Sequence, residues 1–151
     1  YGYLANFFRS PFTLDGHQWP TVEHYFQAQK FAGTRHADEV RLAPTPGEAA
    51  RMGRSRQRPL RRDWEAVKDD VMRRAVRAKF EQIPALRRQL LSTGDAILVE
   101  HTHRDSYWGD GGDGRGRNML GVILMETREA LRHEGPADAE PSPPSADPVA
   151  R

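Results

Sequence analysis

The sequence predicts a helix-rich α+β fold, a single domain in which helices pack with a small β-sheet. Three observations predict it. Apolar residues recur at helical spacing through two long segments, Trp64–Gln82 and 118–132. Two short β-prone pieces flank an Asp15-Gly16 turn. A chain of 151 residues suits one core. The last stretch, 134–151, carries five prolines and no aromatic residue, too little apolar surface to offset its ordering entropy. The expected organisation is therefore a working domain at 1–133 and a disordered Pro- and acid-rich tail at 134–151.

Taken in order, the first twenty residues alternate aromatic pairs such as Phe7-Phe8 with turn formers and read as loop and short strand. The segment 12–19 is a hairpin closed by Asp15-Gly16. Thr21 then caps a helix with Glu23 in its first turn, where the helix dipole favours an acid, and Gly33 stops it. A short helix at 37–42 ends before Pro44, and another begins at Thr45 with Pro46 in its first turn and ends at Gly53. Asp63 can cap the longest helix, Trp64–Gln82, whose inward stripe is Trp64, Val67, Val71, Met72, Ala75, Ala78 and Phe80. Pro84–Ser92 is a helix closed by Gly94. The almost wholly apolar run 96–100 reads as a β-strand, 105–117 as a glycine-rich loop, and 118–132 as an amphipathic helix. Asn118 is the cap of that helix, and Leu120, Val122, Ile123, Leu124, Met125 and Leu131 face inward.

Composition narrows the function. There is no cysteine, which removes disulfides, thiolate nucleophiles and cysteine-ligated metal centres and suits a reducing cytoplasm, the expected location. No apolar run approaches the ~20 residues of a membrane helix, so no membrane association is expected. The sequence opens at Tyr1 rather than Met, and a leading segment could precede it. The net charge of +2 conceals an asymmetry: the tail holds four acids and one base, which leaves 22 basic and 17 acidic residues elsewhere. Arg51, Arg54, Arg56, Arg58, Arg61 and Arg62 cluster within twelve residues. Such a patch either attracts phosphates or is a solvated surface, and charge alone does not decide.

Two constellations carry chemistry. In the helix from Thr21, Glu23, Gln27 and Lys30 fall at i, i+4 and i+7, within roughly 60° of one another on one stripe. Alone, that stripe could equally face water. Density favours function, because Glu, His, Tyr, Gln, Gln and Lys crowd into eight residues beside aromatics. The second constellation is the loop from Asp105 to Asn118, where five glycines in eight positions (109–116) allow close backbone approach to a ligand. The loop feeds a helix N-terminus, a natural anion site. Trp108 offers a flat face for a base or ribose. A solvated turn stays open as the alternative. The acid spacing does not fit a calcium loop. The glycines do not match the dinucleotide fingerprint. His101 and His103 are too few to hold a metal, so neither metal nor cofactor is expected.

The two blocks, in this order, resemble the YbiA/NADAR family. The matching residues are Leu4-Ala-Asn-Phe-Phe8, Trp19-Pro-Thr-Val-Glu-His-Tyr-Phe-Gln-Ala-Gln-Lys-Phe31, Arg62-Asp-Trp64, Lys79-Phe80, Thr93-Gly94, Leu98-Val-Glu100, Asp105-Ser-Tyr-Trp-Gly109 and Gly116-Arg-Asn-Met-Leu-Gly-Val-Ile-Leu-Met125. Ala5 stands where the family usually has serine, and the family places a strand ahead of the Tyr1-Gly2 pair. The resemblance implies hydrolysis of N-glycosidic bonds. One branch acts on phosphoribosylated riboflavin intermediates, and another removes ADP-ribose from guanine bases of DNA or RNA, reversing the modification made by an ADP-ribosyltransferase toxin. That toxin would be the functional partner. Carried onto matching positions, the resemblance implies catalytic roles for Glu23, Lys30 and Asp105, and Asp110, outside the matched blocks, is a further catalytic candidate as an acid of the glycine-rich loop. The resemblance implies substrate-binding roles for Asn6, Phe7, Phe8, Tyr25, Gln27, Tyr107, Trp108, Gly109, Arg117 and Asn118, and Arg9, just past the first matched block, is a substrate-binding candidate by its guanidinium.

Two mechanisms stay open. Glu23 and an aspartate, Asp105 or Asp110, could act as acid and base, as paired carboxylates do in glycosidases. Alternatively an unprotonated Lys30 could attack C1 of the ribose and form a Schiff base that water resolves. The second route is favoured, because one helical stripe offers both lysine and carboxylate. A direct Glu23–Lys30 ion pair would argue for the first. Arg9, Arg115 and Arg117 are the candidates for phosphate, and Trp108, Tyr107 and Phe8 for stacking. A non-catalytic ADP-ribose or NAD sensor is the rival reading, and it would keep its affinity in Glu23→Gln and Lys30→Met variants.

Overall fold

The computed structural model describes residues 1–135; from 136 onward the expected tail lies outside the described residues. A single 3-10 turn, Gly2–Leu4, precedes an antiparallel hairpin of β1 (Phe12–Leu14) and β2 (His17–Trp19). Six helices follow: α1 (Val22–Gln29), α2 (Arg35–Arg41), α3 (Pro46–Arg54), α4 (Trp64–Gln82), α5 (Pro84–Ser92) and α6 (Met119–His133). This is the expected α+β arrangement. Asp15 and Gly16 have φ of 55° and 79°, the left-handed pair of a two-residue hairpin. They set Phe12 opposite Trp19 and Leu14 opposite His17.

Helix α4 is the hub and packs on α1, α5, α6 and β1. It buries Trp64, Val71, Met72, Ala75, Val76, Ala78 and Phe80, while Val67 only packs at the edge of the core. Helix α6 buries Leu120, Ile123, Leu124 and Leu131, and with them Thr127 and Arg128. Val122 and Met125, expected inward, are only half-buried. The inward stripe keeps its helical period, but two of its positions hold polar residues whose needs are met locally. Thr127 donates to the Ile123 carbonyl (2.8 Å), and Arg128 reaches Thr93 Oγ1 (2.8 Å).

Three expectations are corrected. Residues 96–100 form no strand. Only Leu98 turns inward, and Ile97 and Val99 are 75% and 53% exposed. The segment's hydrogen-bonding partner is a side chain, with Asn118 Nδ2 donating to the Leu98 carbonyl (2.9 Å) and Asn118 Oδ1 accepting from Glu100 N (2.8 Å). For the same reason Asn118, left-handed at φ 53°, makes no side-chain cap for α6. Asp63 does not cap α4 by its side chain either; it holds the Arg61 guanidinium at 2.6 and 3.1 Å.

Candidate functional site

The site is built on α1. Thr21 Oγ1 accepts from His24 N (3.1 Å), which starts the helix where the sequence places it. His24 lies on the far side of α1, its Nε2 3.0 Å from the Ala43 carbonyl and its Nδ1 2.9 Å from Thr21 Oγ1. A carbonyl only accepts, so Nε2 carries the proton, and the Thr21 hydroxyl donates to Nδ1. Burial holds this imidazole below its usual pKa. The polar stripe of α1 does not face water. Glu23 and Gln27 are buried, and with Lys30, just past the helix end, they line a cavity of about 650 Å³.

Within that cavity Glu23 is 9% exposed, and its carboxyl accepts from Gln27 Nε2 at 2.7 Å. Desolvation outweighs this bond and the nearby Lys30 and Arg54 cations, and raises its pKa above the carboxylate range. Gln27 in turn packs on Gly53 of α3, where a Cβ would stand 1.8 Å from Gln27 Oε1. Lys30 Nζ lies 3.4 Å from the Gly53 carbonyl and about 6 Å from the rings of Phe26 and Trp64. Arg56 donates to the same carbonyl. Burial first, and then the positive charges of Arg56 and Arg54, lower the lysine pKa to about 8 against the opposing pull of Glu23. Among the described residues Glu23 and Lys30 form no direct ion pair; the carboxylate is held by glutamine instead.

The glycine-rich loop supplies the facing wall. Asp105 Oδ1 accepts from Tyr107 N (2.9 Å) and Trp108 N (2.8 Å), a local turn that delivers the Trp108 indole into the cavity. There it meets Phe26 edge-on at 5.3 Å. Asp105 lines the cavity, and so do Asn6 and Phe7 from the N-terminal segment. The Asn6 carbonyl accepts from Glu23 N at 3.1 Å, which ties this segment to α1.

Other named residues stand elsewhere. Asp110 faces away from the cavity, with one oxygen 2.8 Å from His101 Nδ1 and the other accepting from Thr102 N and Gly112 N. These partners hold its pKa near 2, as a fixed anion that shapes the loop. The Tyr25 ring is fully buried against Trp19, and its hydroxyl donates to Asp15 (2.7 Å). Phe8 lies over Lys79, and Arg9 is exposed and not on the cavity wall. Tyr107, Arg115 and Arg117 line a separate, shallower cleft of about 420 Å³. Gly109 is buried behind the loop, where a Cβ would meet Thr102 and the Glu100 carbonyl within 2.8 Å. Asn118 bridges Leu98 and Glu100, as described above.

The cavity also holds residues that sequence reasoning passed over: Glu100, Thr102, Arg54 and Arg104. Glu100 ends the apolar run 96–100, and a lone acid there was the available signal. Burial, then Asp105 and Asp110, raise its pKa. Arg54 belongs to the arginine patch, half of which is paired locally: Arg51 with Glu48, Arg58 with Glu39 and Arg61 with Asp63. Among the described residues no group of three or more His, Asp or Glu is arranged to hold a metal ion, and no helix is long and apolar enough to cross a membrane.

The N-glycosidase YbiA of Escherichia coli K12 is 57% identical over 134 residues, covering 89% of this chain and 84% of that protein. An N-glycosidase of Nostoc punctiforme is 46% identical over 136 residues, covering 88% and 87%. A riboflavin biosynthesis protein of Vibrio vulnificus is 48% identical over 136 residues, covering 90% of this chain but only 37% of its own length. The NMR structure of E. coli YbiA matches with a TM-score of 0.82 at 56% identity, over 88% of this chain and 79% of that one. The class is therefore an enzyme, an N-glycosidase on a helix-rich α+β domain. The NADAR domain model matches residues 1–132, and the chain belongs to the NADAR domain family.

Proposed function

We propose that this enzyme hydrolyses the ribosyl C1–N bond that joins ADP-ribose to a guanine base of nucleic acid. The observation that carries this reading is one cavity in which a half-buried lysine of pKa about 8 meets Glu23, Glu100 and Asp105, with Arg54 and Arg104 on the same walls. Arginine suits phosphate oxygens through its bidentate fork. The Trp108 and Phe7 rings suit the base.

In the favoured route neutral Lys30 Nζ attacks C1. The C1–N pair leaves with the base, which takes the proton of Glu23. The ring then opens as O4 receives the proton released from Nζ, leaving a C1=N iminium on Lys30. Water adds to C1 and gives its proton to the Glu23 carboxylate; collapse then passes the new hydroxyl's proton to Nζ and breaks the C1–Nζ bond, leaving a C1 aldehyde on which the O4 hydroxyl closes to the hemiacetal. The net change is one water consumed for one free base and one free sugar hemiacetal. With pKa about 8, roughly a tenth of Lys30 is neutral at pH 7, and its lack of a direct carboxylate partner supports this route over one that uses only acids. A phosphoribosylated pyrimidine is the second substrate reading, favoured by the names of the Vibrio relative and of a maize riboflavin biosynthesis protein that is 43% identical over 157 residues.

The test is incubation with single-stranded DNA carrying ADP-ribosylated guanine and, separately, with the phosphoribosylated pyrimidine, followed by product analysis with and without borohydride. Release of free ADP-ribose and unmodified guanine, with a reduced adduct mapped to Lys30, is expected. Turnover of the pyrimidine alone transfers the assignment to the second reading. Turnover without any adduct removes the lysine route and leaves Glu23 working with Glu100 or Asp105.

A further inference from the structure

Lys79 is a fully buried lysine, and the chemistry above does not use it. It sits on α4 with its side chain 1% exposed. Its ammonium makes one hydrogen bond, 3.1 Å to the Ala5 carbonyl, and otherwise lies over the rings of Phe80 (5.0 Å) and Phe8 (5.6 Å). It has no carboxylate partner among the described residues. An ammonium so desolvated and so sparsely bonded opposes folding, and an apolar side chain of the same length would serve the core better.

What the amine holds is a wall of the cavity. Ala5, Asn6 and Phe7 line the site, and three bonds tie them to α1 and α4: Ala5 O to Lys79, Asn6 O to Glu23 N, and Asn6 Nδ2 to Met72 Sδ at 3.5 Å; within the segment the Ala5 carbonyl also accepts from Phe8 N (3.2 Å) and Ala5 N donates to the Gly2 carbonyl (3.0 Å). Among the described residues, only the Lys79 tie joins the wall's backbone to the central helix.

We infer that Lys79 is a positioning residue for the glycosidase reaction, anchoring the Ala5–Phe7 wall through the Ala5 carbonyl so that Asn6 and Phe7 meet the substrate at fixed distance from Glu23 and Lys30. The inference rests on the cavity being the active site but not on which ribosyl substrate occupies it. Burial lowers the Lys79 pKa to about 7. The amine donates to the carbonyl in either protonation state, so the anchor persists across neutral pH.

The experiment compares wild type with K79M on whichever N-ribosyl substrate the protein turns over. A tie that acts by placing the wall should raise KM about tenfold or more, with kcat within about threefold, while Tm stays level or rises because a buried charge has gone. KM unchanged at any Tm overturns the inference, since Lys79 is then only a core filler. A fall in kcat with KM unchanged overturns it too, because the amine would then act on the chemistry. Should K79M fail to fold, K79R decides, because its guanidinium still donates to the carbonyl. KM within about threefold of wild type supports the anchor, and a tenfold rise at wild-type Tm overturns it. Loss of every N-ribosyl activity in the wild type would instead strike at the function itself.

Discussion

Lys30 and Glu23 are each held away from their ordinary ionisation by the same burial, and in opposite senses. Burial disfavours charge, so the lysine pKa falls to about 8 and the glutamic acid pKa rises. If the reaction needs Glu23 protonated and Lys30 neutral, the wild-type rate follows a bell. It climbs through the raised Glu23 pKa, and falls above about 8, where the lysine is already neutral and the acid continues to empty. A mechanism that needs a charged lysine yields the same bell. Glu23→Gln separates them. We expect it to lose roughly 10²- to 10⁴-fold in kcat, and its remaining activity to rise with pH to a plateau with a midpoint below about 8, because only the lysine then titrates and the Glu23 charge that raised its pKa is gone. Residual activity that instead falls above pH 8 rules out the neutral amine as nucleophile.

At the scale of elements, the site is the meeting of α1, α3 and an irregular loop. Gly53 is what allows α3 to approach α1 closely enough for its carbonyl to receive Lys30 and for Gln27 to lie across it. A methyl at that position would stand 1.8 Å from Gln27 Oε1 and 3.1 Å from its Cβ. We expect Gly53→Ala to cost about 1–3 kcal/mol in urea unfolding and to push Gln27 off Glu23. Activity should fall more than in Gln27→Ala, which loses the glutamine bond but keeps the helix spacing. Equal activity in the two variants would show that the glycine serves only the glutamine. The facing wall has a different construction. Asp105 folds the turn that presents Trp108, and Asn118 substitutes its side chain for a missing strand neighbour behind Glu100.

The whole molecule carries the cost of its buried charges as a pH dependence of stability. Lys30 and Lys79 have folded pKa values of about 8 and about 7, below their unfolded value of 10.5. Between about 7 and 10.5 the unfolded chain binds more protons, so these groups make stability rise with pH. Glu23 and Glu100 have raised pKa values, so from 4.5 up to those values the folded chain binds more protons and stability falls with pH. We expect a dip near neutrality, with a higher urea midpoint at about pH 9 than at about pH 7, and a shallower alkaline rise in K79M. Identical midpoints at the two pH values would contradict it. The sequence by itself determined the class of the fold, because hydrophobic period, Thr21, Gly94 and Asp15-Gly16 are local signals that act within a few residues. It placed α4 and α5 end to end as they stand, and it joined Glu23, Gln27 and Lys30 on one stripe through helix geometry alone. It did not show whether that stripe met water or a cavity. Only the packing of α3 and the 100–108 loop against α1 decided this, since burial is a property of what lies opposite. The tertiary structure alone brought Glu100, Arg54 and Arg104 to the wall and turned Tyr25 and Asp110 away from it. It also gave the apolar run 96–100 a side-chain partner in place of a strand. A residue's type states what it can bond, but which partner it finds depends on chain segments distant in sequence.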